Sequence, residues 1–153
     1  MRHLVLLLLL VALAPAVAQP GSPSEMRSEI DNLLREYDGL GSKPFNTRWN
    51  NGAPKESYTK EKDGTWSYTR FYPTGGYAVK YQKTPSKAVS YERFFSNGKT
   101  SELLRKDERF IDWTSYWLNG QKKTKYQFNF QLKSAYYEAR KQDGKQVWPK
   151  PGH

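Results

Sequence analysis

Five short segments set the terms for this chain: Trp49-Asn50-Asn51-Gly52, Tyr72-Pro73-Thr74-Gly75, Phe95-Ser96-Asn97-Gly98, Trp117-Leu118-Asn119-Gly120 and Lys141-Gln142-Asp143-Gly144. Their glycines recur at intervals of 23, 23, 22 and 24 residues. Such a period is the mark of a repeat architecture, in which each copy is one supersecondary unit stacked on the next. Asn-Gly and Asp-Gly between alternating segments are the strongest short-range hairpin signals, and they predict a two-residue type I′ turn with positive φ at both central residues. Gly52, Gly75, Gly98, Gly120 and Gly144 are therefore read as structural turn positions.

Four residues before each leading position stands another ring: Phe45, Tyr68, Tyr91, Trp113 and Tyr137. Side chains alternate faces along a strand, so positions four apart point the same way. Six residues beyond the first four glycines a second column begins, with Tyr58, Tyr81, Leu104 and Tyr126. Each repeat reads as strand, tight turn, strand. One hairpin is marginal in water, but copies side by side bury a continuous layer. The predicted fold is mainly β: a β-hairpin solenoid forming a single extended antiparallel sheet of about five repeats. All 5 Trp, 11 Tyr and 7 Phe except Tyr37 lie at or beyond Phe45, so that layer is largely aromatic. Core packing is the first reading of these rings; the competing one is that some line a ligand groove.

The aromatic-x-Asn-Gly hairpin with a ring four residues upstream, at a period near 23, resembles the MORN-repeat variant of bacterial proteins. The resemblance covers residues 45 to 148 in five copies. It departs from the family pattern where Lys141 replaces the leading ring and where Thr74-Gly75-Gly76 replaces Asn-Gly; the glycine ahead of the upstream ring is present at Gly64 and Gly41. It implies membrane-proximal or protein-interaction roles, and for some variants an antitoxin-like or immunity-like one.

Arg2, the apolar run from Leu4 to Leu13 and Ala16-Val17-Ala18 have the form of a secretory signal peptide over residues 1–18, with the mature chain starting at Gln19. The run is short for a membrane span, and no later stretch replaces it. The localisation implied is export, to a periplasm or the medium. The chain has no cysteine, so neither disulfides nor a lipid-modified cysteine is available. Its 25 Lys and Arg against 15 Asp and Glu give a net charge of +10, of which the leader removes one charge with Arg2. An excess of this size favours anionic partners, and it also keeps a protein soluble.

Residues 19–44 are read as a polar lead-in and a helix. Ser22-Pro23-Ser24-Glu25 has the pattern of a capping box, with Ser22 at the N-cap and Pro23 at N1. Met26, Ile30, Leu33, Leu34 and Tyr37 then form one apolar stripe, which Gly39 and Gly41 end. An open solenoid end exposes apolar surface and a strand edge, so this helix is expected to cap it, with docking to a partner as the alternative. Further along, Phe128, Phe130 and Leu132 alternate and are expected to be strand. Pro149-Lys150-Pro151 closes the repeat domain and opens the tail 149–153.

Catalytic groups are scarce. The two histidines are His3 in the leader and His153 at the end, and no thiolate exists. Glu56 and Glu102 stand at equivalent repeat positions, the pattern of a polar ladder. Asp107, Glu108 and Asp112 neighbour Arg105, Lys106 and Arg109 as a solvated charge cluster would. No enzyme activity, metal or cofactor is implied. The more informative pattern is arginine between rings: Tyr68-x-Arg70-x-Tyr72 and Tyr91-x-Arg93-x-Phe95 place Arg70 and Arg93 on the face of Tyr68 and Tyr91. Two arginines in a dry core are costly, so this face is wet in part or they reach its edge. Lys55, Lys80, Lys123 and Lys125 fall on the opposite parity of the return strands, either as an ordinary solvated face or as a track for an anionic polymer. Export sets nucleic acid aside and favours lipid head groups, lipopolysaccharide phosphates or wall polymers. The reading is a non-catalytic binding or scaffold protein of the cell envelope, with a protein-protein interaction module as the alternative and carbohydrate on exposed rings as a remote third.

Overall fold

The computed structural model describes residues 22–148. The leader assigned to residues 1–18, the first residues of the lead-in, the tail 149–153 and both histidines lie outside the described residues. Helix α1 (Pro23–Asp38) precedes ten strands: β1 (Phe45–Arg48), β2 (Pro54–Lys60), β3 (Trp66–Phe71), β4 (Tyr77–Lys83), β5 (Val89–Phe94), β6 (Thr100–Lys106), β7 (Phe110–Tyr116), β8 (Lys122–Asn129), β9 (Ser134–Arg140) and β10 (Gln146–Trp148). They form one open antiparallel sheet in strict chain order. The edge strands β1 and β10 are only 4 and 3 residues long, which limits the unpaired backbone offered to another chain.

Both ring columns merge into one row. The pairing runs Phe45, Tyr58, Tyr68, Tyr81, Tyr91, Leu104, Trp113, Tyr126, Tyr137 across nine strands. Tyr81, Tyr91 and Tyr126 are almost fully buried, and Leu104 is completely so. Phe45 and Tyr58 pack with ring centroids 5.6 Å apart, and Tyr58 stacks on Trp66 at 4.8 Å.

The turns differ from the type I′ prediction. At each repeat the glycine N–H donates to the carbonyl three residues back, as Gly52 does to Trp49 at 2.9 Å, and the leading residue's N–H donates to the carbonyl beyond the glycine, as Trp49 does to Ala53 at 2.8 Å. The glycines have φ between 81° and 92°, but Asn51, Asn97, Asn119 and Asp143 do not have positive φ. This is a type I turn closed by a left-handed glycine at a bulge. The asparagine serves through its side chain: Oδ1 of Asn51, Asn97 and Asn119 each accepts the N–H two residues on at 3.1 Å, and Asp143 does the same at 3.0 Å. The link between β4 and β5 follows this scheme with Lys87 (φ 65°) where a glycine would stand.

Helix α1 begins as the capping box predicts, with the Glu25 N–H bonded to Ser22 Oγ and the Ser22 N–H bonded to Glu25. Its stripe is buried at Met26, Ile30, Leu34 and Tyr37. The helix lies across the ring face, not over an end of the sheet. Tyr37 stacks on Tyr81 at 4.7 Å and touches Tyr68 and Tyr91, whereas Arg27 at the other end sits over Phe128 and Phe130, 5.1 Å from each ring centre. Sixteen residues of helix span about 24 Å, five strand spacings of about 4.8 Å, the reach from β4 to β9. The physical reason is area. The ring row is a broad apolar surface across nine strands, while an edge strand of 3 or 4 residues offers little to bury.

The stretch expected to stay in strand through Leu132 turns earlier. β8 ends at Asn129, whose Oδ1 accepts the N–H groups of Gln131 and Leu132, and Lys133 takes φ 50° to close the turn. Phe130 folds back edge-on against Phe128, and Leu132 is left exposed.

Candidate functional site

The helix covers the ring row and the row next to it on the link side, where Asp38 pairs with Lys83 and accepts a bond from the Tyr81 hydroxyl. The row on the turn side runs Thr47, Glu56, Arg70, Val79, Arg93, Glu102, Ser115, Thr124, Ala139. Val79, Ser115 and Ala139 are buried along it, but Arg70 and Arg93 are exposed. The two arginines flank Val79 on neighbouring strands. This is the edge-of-core solution to the cost of placing arginine among rings: their Tyr68 and Tyr91 neighbours are buried under the helix, and the guanidiniums emerge beside it.

The two acidic neighbours are equivalent in register but differ in use. Glu56, opposite Arg70, accepts the Tyr68 hydroxyl at 2.9 Å and the Thr47 hydroxyl at 3.1 Å. Arg70 has no ion-pair partner among the described residues. Glu102 instead lies 3.5 Å from Arg93, whose side chain keeps 57% of its surface exposed. Arg70 and Arg93 border an open pocket of about 350 Å³ together with Leu33, Glu36 and Tyr37 of the helix and Trp49 and Tyr72 of the turns. Burial, then the charge of Glu36, raises the Tyr37 pKa to about 12. Burial also pushes Tyr68 and Tyr91 well above the usual phenol range, with Glu56 and Glu102 adding to it. At neutral pH all three are neutral hydroxyls, donors but not bases.

The four lysines separate. Because they lie on return strands, simple alternation puts all of them opposite the arginines. A register shift at each hairpin changes this for two of them. Lys55 and Lys123 are the extra residues where two positions face one, and the shift turns them to the turn-side strip, with Lys55 5.1 Å over Trp49 and Lys123 4.9 Å over Trp117. Lys80 and Lys125 remain on the far face, opposite Glu92 and Glu138 respectively. Lys80 lies 3.7 Å over Tyr77.

Sequence reasoning missed the helix wall of the pocket, Leu33 and Glu36, because it placed the helix at the sheet end. The leading rings were named as core without their polar ends. Tyr72 donates its hydroxyl to the Phe94 carbonyl at 2.8 Å, and Trp117 donates Nε1 to the Arg140 carbonyl at 3.2 Å, so each stitches one repeat to the next. Nε1 of Trp49, the same column one repeat earlier, is buried without an acceptor.

Among the described residues no three His, Asp or Glu side chains converge as a metal site would require, and no helix is long and apolar enough to cross a membrane. No family model matches the chain, and no curated protein does.

Proposed function

We propose that this chain is an exported, non-catalytic binding protein of MORN-like build whose turn-side strip engages an anionic envelope surface: lipid head groups, lipopolysaccharide or a wall polymer. The observation that carries the reading is the placement of Arg70 and Arg93. They stand exposed in one row, in the strip beside the helix, with Lys55 and Lys123 held over tryptophan rings at intervals along it. A row of cations on a rigid sheet suits a partner with repeating negative charge. Each contact is weak and screened, so affinity comes from their number. The far face carries Lys80 and Lys125, each opposite a glutamate in register, and serves as the comparison surface.

The test is co-sedimentation of residues 19–153, which hold every described element, with anionic and neutral vesicles across a salt series. Retention on anionic vesicles alone, collapsing as salt rises, supports the reading. No retention at low salt refutes it and leaves the charge as a solubility feature.

A second reading, a protein-interaction module, draws support from the far face. Tyr77 and Tyr136 keep 46% and 47% of their surfaces exposed there and would anchor a protein partner. Such an interface would lose most of its affinity on substitution of one ring and depend little on salt.

A further inference from the structure

The repeat supplies its own control for the pocket beside Arg70. One repeat on, an equivalent depression contains Tyr72 for Trp49 and Arg93 for Arg70, but Ser101 and Glu102 replace the Ala78 and Val79 floor, and Ser115 replaces the second arginine. No helix residue borders that second depression. Two guanidiniums over an apolar floor, roofed by Leu33 and Tyr37, are found only at the first.

We propose that this first pocket binds a small organic monoanion: a carboxylate clamped by Arg70 and Arg93, its apolar body lying against Val79, Leu33 and the Trp49 ring. Three observations lead there. Paired guanidiniums match a carboxylate's two oxygens with charge-assisted bonds. Glu36 stands on the helix wall and Glu102 beside Arg93, so these carboxylates offset the two guanidiniums and the site favours a monoanion over a dianion such as a phosphate monoester. Trp49 lines the same cavity, and its buried indole N–H is alone among the buried side-chain polar atoms of the described residues in having no partner, where the equivalent donors of Tyr72 and Trp117 are satisfied internally. The volume of about 350 Å³ fits a compact ligand.

The inference shares Arg70 and Arg93 with the proposed surface binding but does not require it. Phenylacetate, acetate and phenylacetamide are titrated into residues 19–153, read by tryptophan fluorescence and by NMR of the indole N–H groups. Phenylacetate should shift the Trp49 indole signal saturably and leave that of Trp117 in place. Phenylacetamide, which lacks the charge, and acetate, which lacks the apolar body, should each bind about tenfold more weakly or worse. Arg70→Ala and Arg93→Ala should each weaken phenylacetate by about tenfold or more, whereas Lys80→Ala on the far face should not. Equal binding of acid and amide, indifference to both arginine changes, or no saturable shift overturns the pocket. Vesicle retention without a phenylacetate response sinks this site alone; a phenylacetate response without vesicle retention sinks the surface reading alone.

Discussion

Replacing Asn97 by Gly separates the observed turn from the type I′ turn that Asn-Gly predicts. In a type I′ turn Asn97 would carry positive φ, and glycine there would relieve strain and stabilise the protein. In the structure Asn97 is not at positive φ and its Oδ1 accepts the Lys99 N–H at 3.1 Å. Glycine removes that bond, worth about 0.5–1.5 kcal/mol, and adds backbone entropy to the unfolded chain, about 0.5–1 kcal/mol. The expected loss is about 1–2.5 kcal/mol. Gly98→Ala is the companion. A Cβ there meets nothing within 4 Å, so its cost is conformational at φ 82°. A left-handed alanine costs about 1–2 kcal/mol, offset by about 0.4–1 kcal/mol from a stiffer unfolded state, a net loss of about 1 kcal/mol. Lys87→Gly runs the other way and should gain about 0.5–1 kcal/mol by freeing a lysine held at φ 65°. Urea denaturation reads all three as midpoint shifts at constant slope. A stabilising Asn97→Gly, or a destabilising Lys87→Gly, would refute the turn assignment.

Ile30→Ala, at 2% exposure on the helix stripe, should cost about 2–5 kcal/mol in the same assay if the helix belongs to the core, and far less if it only rests on the sheet. Trp117→Phe should lose about 1 kcal/mol with its bond to the Arg140 carbonyl, while Trp49→Phe, whose N–H has no acceptor, should be neutral or slightly stabilising. Alkaline pH should unfold the protein. Tyr37, Tyr68, Tyr81 and Tyr91 all have folded pKa values above the ordinary 10.0, chiefly through burial, so the stability they confer is intact below pH 10.0 and lost as pH rises through their folded values. Circular dichroism and tyrosinate absorbance should change together in that range. Normal titration of these phenols near pH 10.0 with the fold intact would contradict the burial of the ring row.

The strand order and the ring row were readable in advance because they depend on one periodicity. Glycine spacing sets the hairpin length, and hairpin length sets which rings meet. The helix limits were equally legible, since Ser22, Pro23 and Glu25 act within one turn of one another. What the helix covers was not, because Met26, Ile30, Leu34 and Tyr37 describe an apolar stripe without saying which surface it meets, and competition between a broad ring face and a narrow edge is decided in three dimensions. The turn type was hidden for a related reason. Asn tolerates positive φ and also bonds forward through Oδ1, and which property is used depends on how many residues the loop holds. The same extra residue moved Lys55 and Lys123. Counting odd and even positions assumes an unbroken ladder, and one inserted residue per hairpin reverses the answer for the side chain at the insertion while leaving Lys80 and Lys125, two residues on, where alternation puts them.

The most direct test of the central claim compares two variants of equal net charge on anionic vesicles at low salt. Arg70→Ala with Arg93→Ala removes two charges from the strip beside the helix, and Lys80→Ala with Lys125→Ala removes two from the far face. The account predicts that the first pair loses most of its retention while the second keeps it. Equal losses would mean that net charge, and not this strip, governs binding.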